Sequence, residues 1–263
     1  MSISFDRAAD FYDNTRTLAL EVSERLTEEI LRLGRATSDT TFFEPGIGTG
    51  RVALPIVEQG YAYTGVDVSE AMMDKLRQKL EGKAHRLTLL NADATALSFG
   101  DNAFDVAIAP HILHLIVDWQ TAMDELRRVL KPAGVFIYFH HPKNKTATRD
   151  AIGRQWREIL SGYGYDSGFT GGVTEDVLGR LQEQGAILET VAVADLSRES
   201  TVDSLMGAYR GRIYSHMWRV PDDIYHRALA DLESWAAEAF PDSSQVITSQ
   251  ENITLTAAYG WAG

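Results

Sequence analysis

The sequence predicts an α/β protein built on a doubly wound, mostly parallel sheet of seven strands, with helices on both faces and helical lid insertions. Three observations predict it. Short β-rich runs alternate with amphipathic stretches along most of the chain. A turn rich in glycine follows the first β-rich run and leads into a helix. The first three runs each end at or beside an acidic residue, Glu44, Asp67 and Asp93.

The strand candidates, in order, are 40–44, 62–67, 86–91, 104–109, 134–140, 186–193 and 252–259. Helical periodicity marks 18–33, 51–59, 70–80, 120–130, 174–184 and 222–240. Ser69 is placed to cap the helix that begins at Glu70, and Lys131-Pro132-Ala133-Gly134 stops the one that ends at Leu130. Two stretches break the alternation, 142–173 and 195–250, and read as insertions. The 263 residues then form one domain, with a core at about 36–141, 174–193 and 251–260 and an N-terminal cap at 1–35.

Composition narrows the functions. Hydrophobic residues make up 44% and charged residues 24%, the mix of an ordinary globular chain. Lys and Arg total 25 against 37 Asp and Glu, so the net charge of −12 disfavours a nucleic-acid partner. Lys143, Lys145, Arg149, Arg154 and Arg157 form a local basic stretch, best read as a solvated helix face. The absence of cysteine removes disulfides, thiolate zinc sites and covalent cysteine chemistry, and suits a cytoplasmic setting. No metal-ligand spacing is present, and neither a leader nor a membrane segment is predicted.

The glycine turn reads Glu44-Pro45-Gly46-Ile47-Gly48-Thr49-Gly50. Glycines there let the backbone turn tightly and let a ligand approach, beside the free amides of a helix N-terminus. A dinucleotide fingerprint needs glycine at position 51, which is Arg51. Asp67 closes the second strand 19 residues after Gly48, where a carboxylate accepts hydrogen bonds from ribose hydroxyls.

Acid-x-Gly-x-Gly-x-Gly, with Asp67 and the Asn91-Ala92-Asp93-Ala94 segment, resembles the class I S-adenosylmethionine-dependent methyltransferases, in particular the family that includes ubiquinone-biosynthesis enzymes. The resemblance covers roughly 42–139. It implies a Rossmann-like fold whose last strand is antiparallel. It also implies S-adenosylmethionine as cofactor, with S-adenosylhomocysteine as product. By that resemblance Glu44 lies near the amino end of the methionine moiety, Asp93 contacts the adenine amino group and the Ala94 amide a ring nitrogen. Met72 packs on the adenine face or is an ordinary core methionine. Val68 and Ala109, at neighbouring strand ends, complete the cofactor set with Gly46, Gly48 and Gly50. Tyr12 and Arg16 match a Tyr-Asp-x-x-Arg segment that closes over the cofactor, or else form a surface turn. Ala133-Gly134 departs from the family's Gly-Gly.

The expected reaction is in-line transfer of the sulfonium methyl to oxygen, nitrogen or carbon of a small-molecule acceptor. Pro110-His111-Ile112-Leu113-His114 follows the fourth strand, where enzymes that methylate base amino groups carry Asp/Asn-Pro-Pro-aromatic, so DNA is not the expected acceptor. His111, His140 and His141 are candidate bases at the same sheet edge, since imidazole titrates near neutrality. His114 reads as a packing residue. Arg210, Arg212 and Tyr214 are candidate acceptor contacts, or a lid helix's own packing. A cofactor-binding protein without catalysis and a nicotinamide-dependent oxidoreductase are the alternatives. Oligomeric state is open.

Overall fold

Phe42, Phe43 and Glu44 form the centre of strand β1 (Thr41–Pro45), buried on both faces as a central parallel strand must be. The computed structural model describes residues 5, 6, 9, 12, 13, 18–140, 146–165 and 173–263. Around β1 lie β2 (Ala62–Asp67), β3 (Arg86–Asn91), β4 (Phe104–Pro110), β5 (Leu130–His140), β6 (Ile187–Thr201) and β7 (Val246–Tyr259), in the order β3-β2-β1-β4-β5-β7-β6. The pairs β1–β2, β2–β3, β1–β4 and β4–β5 are parallel, whereas β7 runs antiparallel to β5. Thr190 meets Thr256 and Asp195 meets Asn252, so numbers rise on β6 as they fall on β7 and that pair is antiparallel too. The strand order reverses between β1 and β4, which opens a crevice at their carboxyl ends.

The helices are α1 (Leu20–Leu33), α2 (Ala53–Glu58), α3 (Glu70–Lys79), α4 (Trp119–Val129), α5 (Ala147–Gly162), α6 (Thr174–Glu183), α7 (Val202–Arg210) and α8 (Asp222–Ala239). Ser69 caps α3 by accepting the Met72 amide at 3.2 Å. Thr201 and Ser204 cap α7 reciprocally.

Contacts divide the chain into two compact units, 1–141 with 172–194 and 253–263, and 142–171 with 195–252. In the first, α4 and α6 bury Met123, Leu126, Val177 and Leu181 with Phe136, Tyr138 and Trp261. In the second, α5, α7 and α8 build a core around Trp156, Leu205, Tyr225 and Leu232.

Three segments differ from the sequence expectation. Leu130 leaves the helix, with ψ at 139°, and pairs with Phe104, so β5 starts four residues before 134. Strands β6 and β7 run on to Thr201 and back to Val246, through polar residues that read as insertion. The second insertion therefore supplies strand as well as helix.

Candidate cofactor pocket

At the crevice, Gly46 and Ile47 donate their amides to the Val66 carbonyl at 2.7 and 3.1 Å, turning the chain sharply out of β1. Gly46 has φ +66°, and a Cβ there would stand 2.4 Å from the Ile112 side chain. Gly48, at φ +54°, differs: its nearest neighbour would be the mobile end of Met72 at 3.3 Å. Gly46 is thus required by the protein's own packing, and Gly48 opens the backbone toward the pocket.

Asp67 fixes this turn from the neighbouring strand. One carboxylate oxygen accepts the Gly48 amide and the other the Ser69 amide, each at 2.8 Å. Burial raises the Asp67 pKa, and the Ser69 and Gly48 amides pull against that rise. Asp13 holds the far side, accepting the Thr49 hydroxyl at 2.6 Å and pairing with Lys79 at 2.7 Å. Asp6 accepts the Ser69 hydroxyl at 2.5 Å.

Glu44 is 1% exposed and lines the pocket. Its Oε2 accepts the Tyr63 hydroxyl at 2.5 Å. Burial pushes its carboxyl up to about 8, against the pull of the Tyr63 hydrogen bond and the Arg51 charge. The arrangement holds a proton that an approaching ammonium group would displace.

Glu44, Gly46, Gly48 and Asp67 border one pocket of about 750 Å³, its open mouth included, whose lining residues all belong to the first unit. Of the anticipated contacts, Tyr12, Glu44, Gly46, Gly48, Asp67, Val68, Met72, Ala94 and His111 line it. Gly50 sits just behind, where a Cβ would strike Leu76 at 2.4 Å. Asp93 does not line the pocket; its carboxylate accepts the Thr95 amide and hydroxyl at 3.0 and 2.9 Å. Ala109 lies in the core beneath α4, and Pro110 lines the pocket instead.

The candidate bases separate. His111 stands at the pocket with φ +52°, a backbone conformation uncommon outside glycine, and its ring is 4.6 Å from Phe139. Strand alternation sends Phe139 toward His111 and Arg51 and His140 to the opposite face. There His140 is 6% exposed, stacked on Tyr138, with Nε2 3.2 Å from the Thr256 hydroxyl. Burial lowers its pKa, which favours the neutral ring of a packing residue. His141 and Arg16 lie outside the described residues.

The candidate acceptor contacts serve the second unit's own structure. Arg210 pairs with Asp203 and Glu233 at 3.0 and 2.7 Å. Arg212 donates to the Met217 and Val220 carbonyls, pairs with Asp222 and covers the Tyr225 ring. Tyr214 packs edge-on against Tyr209.

Sequence reasoning missed Phe5, Thr49, Arg51, Ile112 and Ile116, all of which line the pocket. The glycine turn carried a signal for Thr49 and Arg51 and the apolar run after β4 one for Ile112 and Ile116, whereas Phe5 had none. It also missed Tyr63, although the parallel register pairs Phe42 with Tyr63 and so puts Tyr63 on the face that Glu44 shares.

Residues 43–138 match the family model described as a methyltransferase domain. A demethylmenaquinone methyltransferase of Clavibacter sepedonicus is 31% identical over 138 residues, which cover 52% of this chain and 56% of that one. The chain thus spans little more than half the length of the curated relatives it matches. Among solved structures, the YcgJ protein of Bacillus subtilis superposes with a TM-score of 0.60 at 17% identity, over 90% of this chain and 98% of that one. Phosphoethanolamine N-methyltransferase 2 of Haemonchus contortus, a complex with phosphomonomethylethanolamine and S-adenosylhomocysteine, gives 0.57 at 16% identity, over 97% of this chain and 57% of that one. The glycine turn and the two strand-end carboxylates thus lie in a stretch, residues 43–138, that is similar to a methyltransferase domain, within a fold that the solved structures share.

Proposed function

We propose that the chain transfers a methyl group from S-adenosylmethionine to a small-molecule acceptor. The observation that carries this reading is one pocket at the sheet's reversal point that joins an open Gly48 backbone to the carboxylates of Glu44 and Asp67. The residues fit the cofactor's parts. Glu44 suits the ammonium of the methionine end. Asp67, already an acceptor of two amides, suits the ribose hydroxyls. Met72 and Ile112 offer apolar surface to an adenine ring.

When bound, the cofactor supplies an activated methyl, so the chain's residues have mainly to align an acceptor and exclude water. Phe5 and Tyr12, in edge contact at 5.9 Å, contribute to the exclusion. His111 is the residue we place to accept a proton from the acceptor, because it alone of the described candidate bases lines the pocket. Small metabolites fit this site better than nucleic acid, given the charge of −12. No described helix is long and apolar enough to cross a membrane.

Calorimetric titration with S-adenosylmethionine and S-adenosylhomocysteine tests the site, and transfer of labelled methyl into a metabolite extract tests the reaction. Asp67→Ala should weaken cofactor binding at least tenfold. Wild-type affinity in that variant would refute the ribose assignment.

A further inference from the structure

In the second unit, α5 carries Arg149, Gly153 and Arg157 at successive turns, a stripe beside its buried row Ile152, Trp156 and Leu160. Beneath the stripe lies Tyr209 of α7. A Cβ on Gly153 would come no nearer to any atom than 4.0 Å from the Tyr209 hydroxyl, so the missing side chain leaves that hydroxyl open from above. Tyr209 is only 6% exposed, its ring fixed by edge contacts with Trp156 and Tyr214. Among the described residues its hydroxyl has no hydrogen-bond partner, and it is not one of the fully enclosed unpaired polar atoms, so a ligand can reach it.

Both arginines are exposed and, among the described residues, form no ion pair, in contrast to Arg210 with its two carboxylates. Their charges are nonetheless felt at the Tyr209 phenol. Burial and Tyr214 raise its pKa, and Arg157 and Arg149 work against that rise. The phenol therefore stays protonated and is a donor. Arg149 and Arg157 stand one helical turn to either side of Gly153, whose open face meets the Tyr209 hydroxyl, in a chain of net charge −12.

We propose that Arg149, Arg157 and the Tyr209 hydroxyl form a binding site for a phosphate dianion on the second unit. Two guanidiniums balance the two negative charges, and the three groups together supply a donor to each of three oxygens. A carboxylate offers one charge and two oxygens and leaves part of the set unused. The chemistry is shared by free phosphate and by a phosphate monoester. All of its residues belong to the second unit, and none of them lines the cofactor pocket.

Calorimetric titration of the full chain with inorganic phosphate, without cofactor, should show saturable one-to-one binding. Tyr209→Phe keeps the ring contacts and should weaken binding about tenfold, the loss of one hydrogen bond to a charged group. Gly153→Leu should abolish binding while the melting temperature holds or rises, because leucine favours a helix interior over glycine. A merely structural role for the stripe predicts no such split. Glycerol 1-phosphate binding more tightly than inorganic phosphate would identify a phosphorylated metabolite as the occupant, and equal binding would identify phosphate itself. Absence of saturable binding, undiminished binding in both variants, or acetate binding as tightly as phosphate would overturn the proposal.

Discussion

Glu44 shows how much one buried carboxyl can control. Its pKa rises from 4.5 in an unperturbed chain to about 8 in the fold, so the folded protein holds a proton that the unfolded chain releases across that window. Protons bound by the folded state exceed those bound by the unfolded state there, so stability falls as pH climbs from about 4.5 to about 8. Urea melts across that range should show the decline in the wild type and a flatter profile in Glu44→Gln. Binding of an ammonium ligand needs the ionised form, so S-adenosylmethionine affinity should increase over the same window, with proton release visible as a buffer-dependent heat. A binding constant unchanged between pH 5 and pH 8 would separate Glu44 from the ligand. Gly48→Val meets a different obstacle: a β-branched residue at φ +54°, beside Met72 and the pocket. It should lose cofactor binding by a hundredfold or more and also melt earlier.

At the scale of elements, the turn after β1 and the first turn of α3 share one anchor. Asp67 joins them, and Ser69 extends the join to Met72 and Asp6. Ser69→Ala removes the α3 cap and should cost about 1 kcal/mol in chemical denaturation, with a cofactor affinity that falls because Met72 is the residue capped. The parallel strands β1 to β4 were legible because each is a short β-rich run, buried in β1 and β4 and closed by an acid in or just after β1, β2 and β3. The outer parts of β6 and β7 were not. Ser197-Arg198-Glu199-Ser200 has the polarity of a loop, and only pairing with a distant segment makes it strand: the Arg198 carbonyl accepts the Ser249 hydroxyl and its side chain pairs with Glu251. The site divides in the same way. Gly48 and Asp67 could be read from spacing and Glu44 from the family resemblance, whereas Phe5 and Tyr63 reach it from elsewhere in the chain and leave no local pattern.

Across the whole molecule, the cofactor pocket is lined from the first unit alone, while the second has a core of its own in which Trp156 is 1% exposed. Trp156→Ala should cost about 3–5 kcal/mol of stability by opening a cavity there. Cofactor affinity measured well below the melting temperature should stay within about twofold of wild type, since none of the lining residues has been touched. A large fall in affinity in the still-folded variant would show that the two cores are energetically coupled.

The left-handed backbone at His111 limits what evolution can write at this corner of the pocket. Asparagine, aspartate and glycine tolerate φ +52°; valine, isoleucine and threonine do not. A lineage that changed its acceptor could trade the imidazole for an amide, a carboxylate or bare space without disturbing the loop, but could not fill the corner with a branched aliphatic side chain. Relatives that keep this loop should therefore differ at position 111 within that short alphabet, whatever the residue there does.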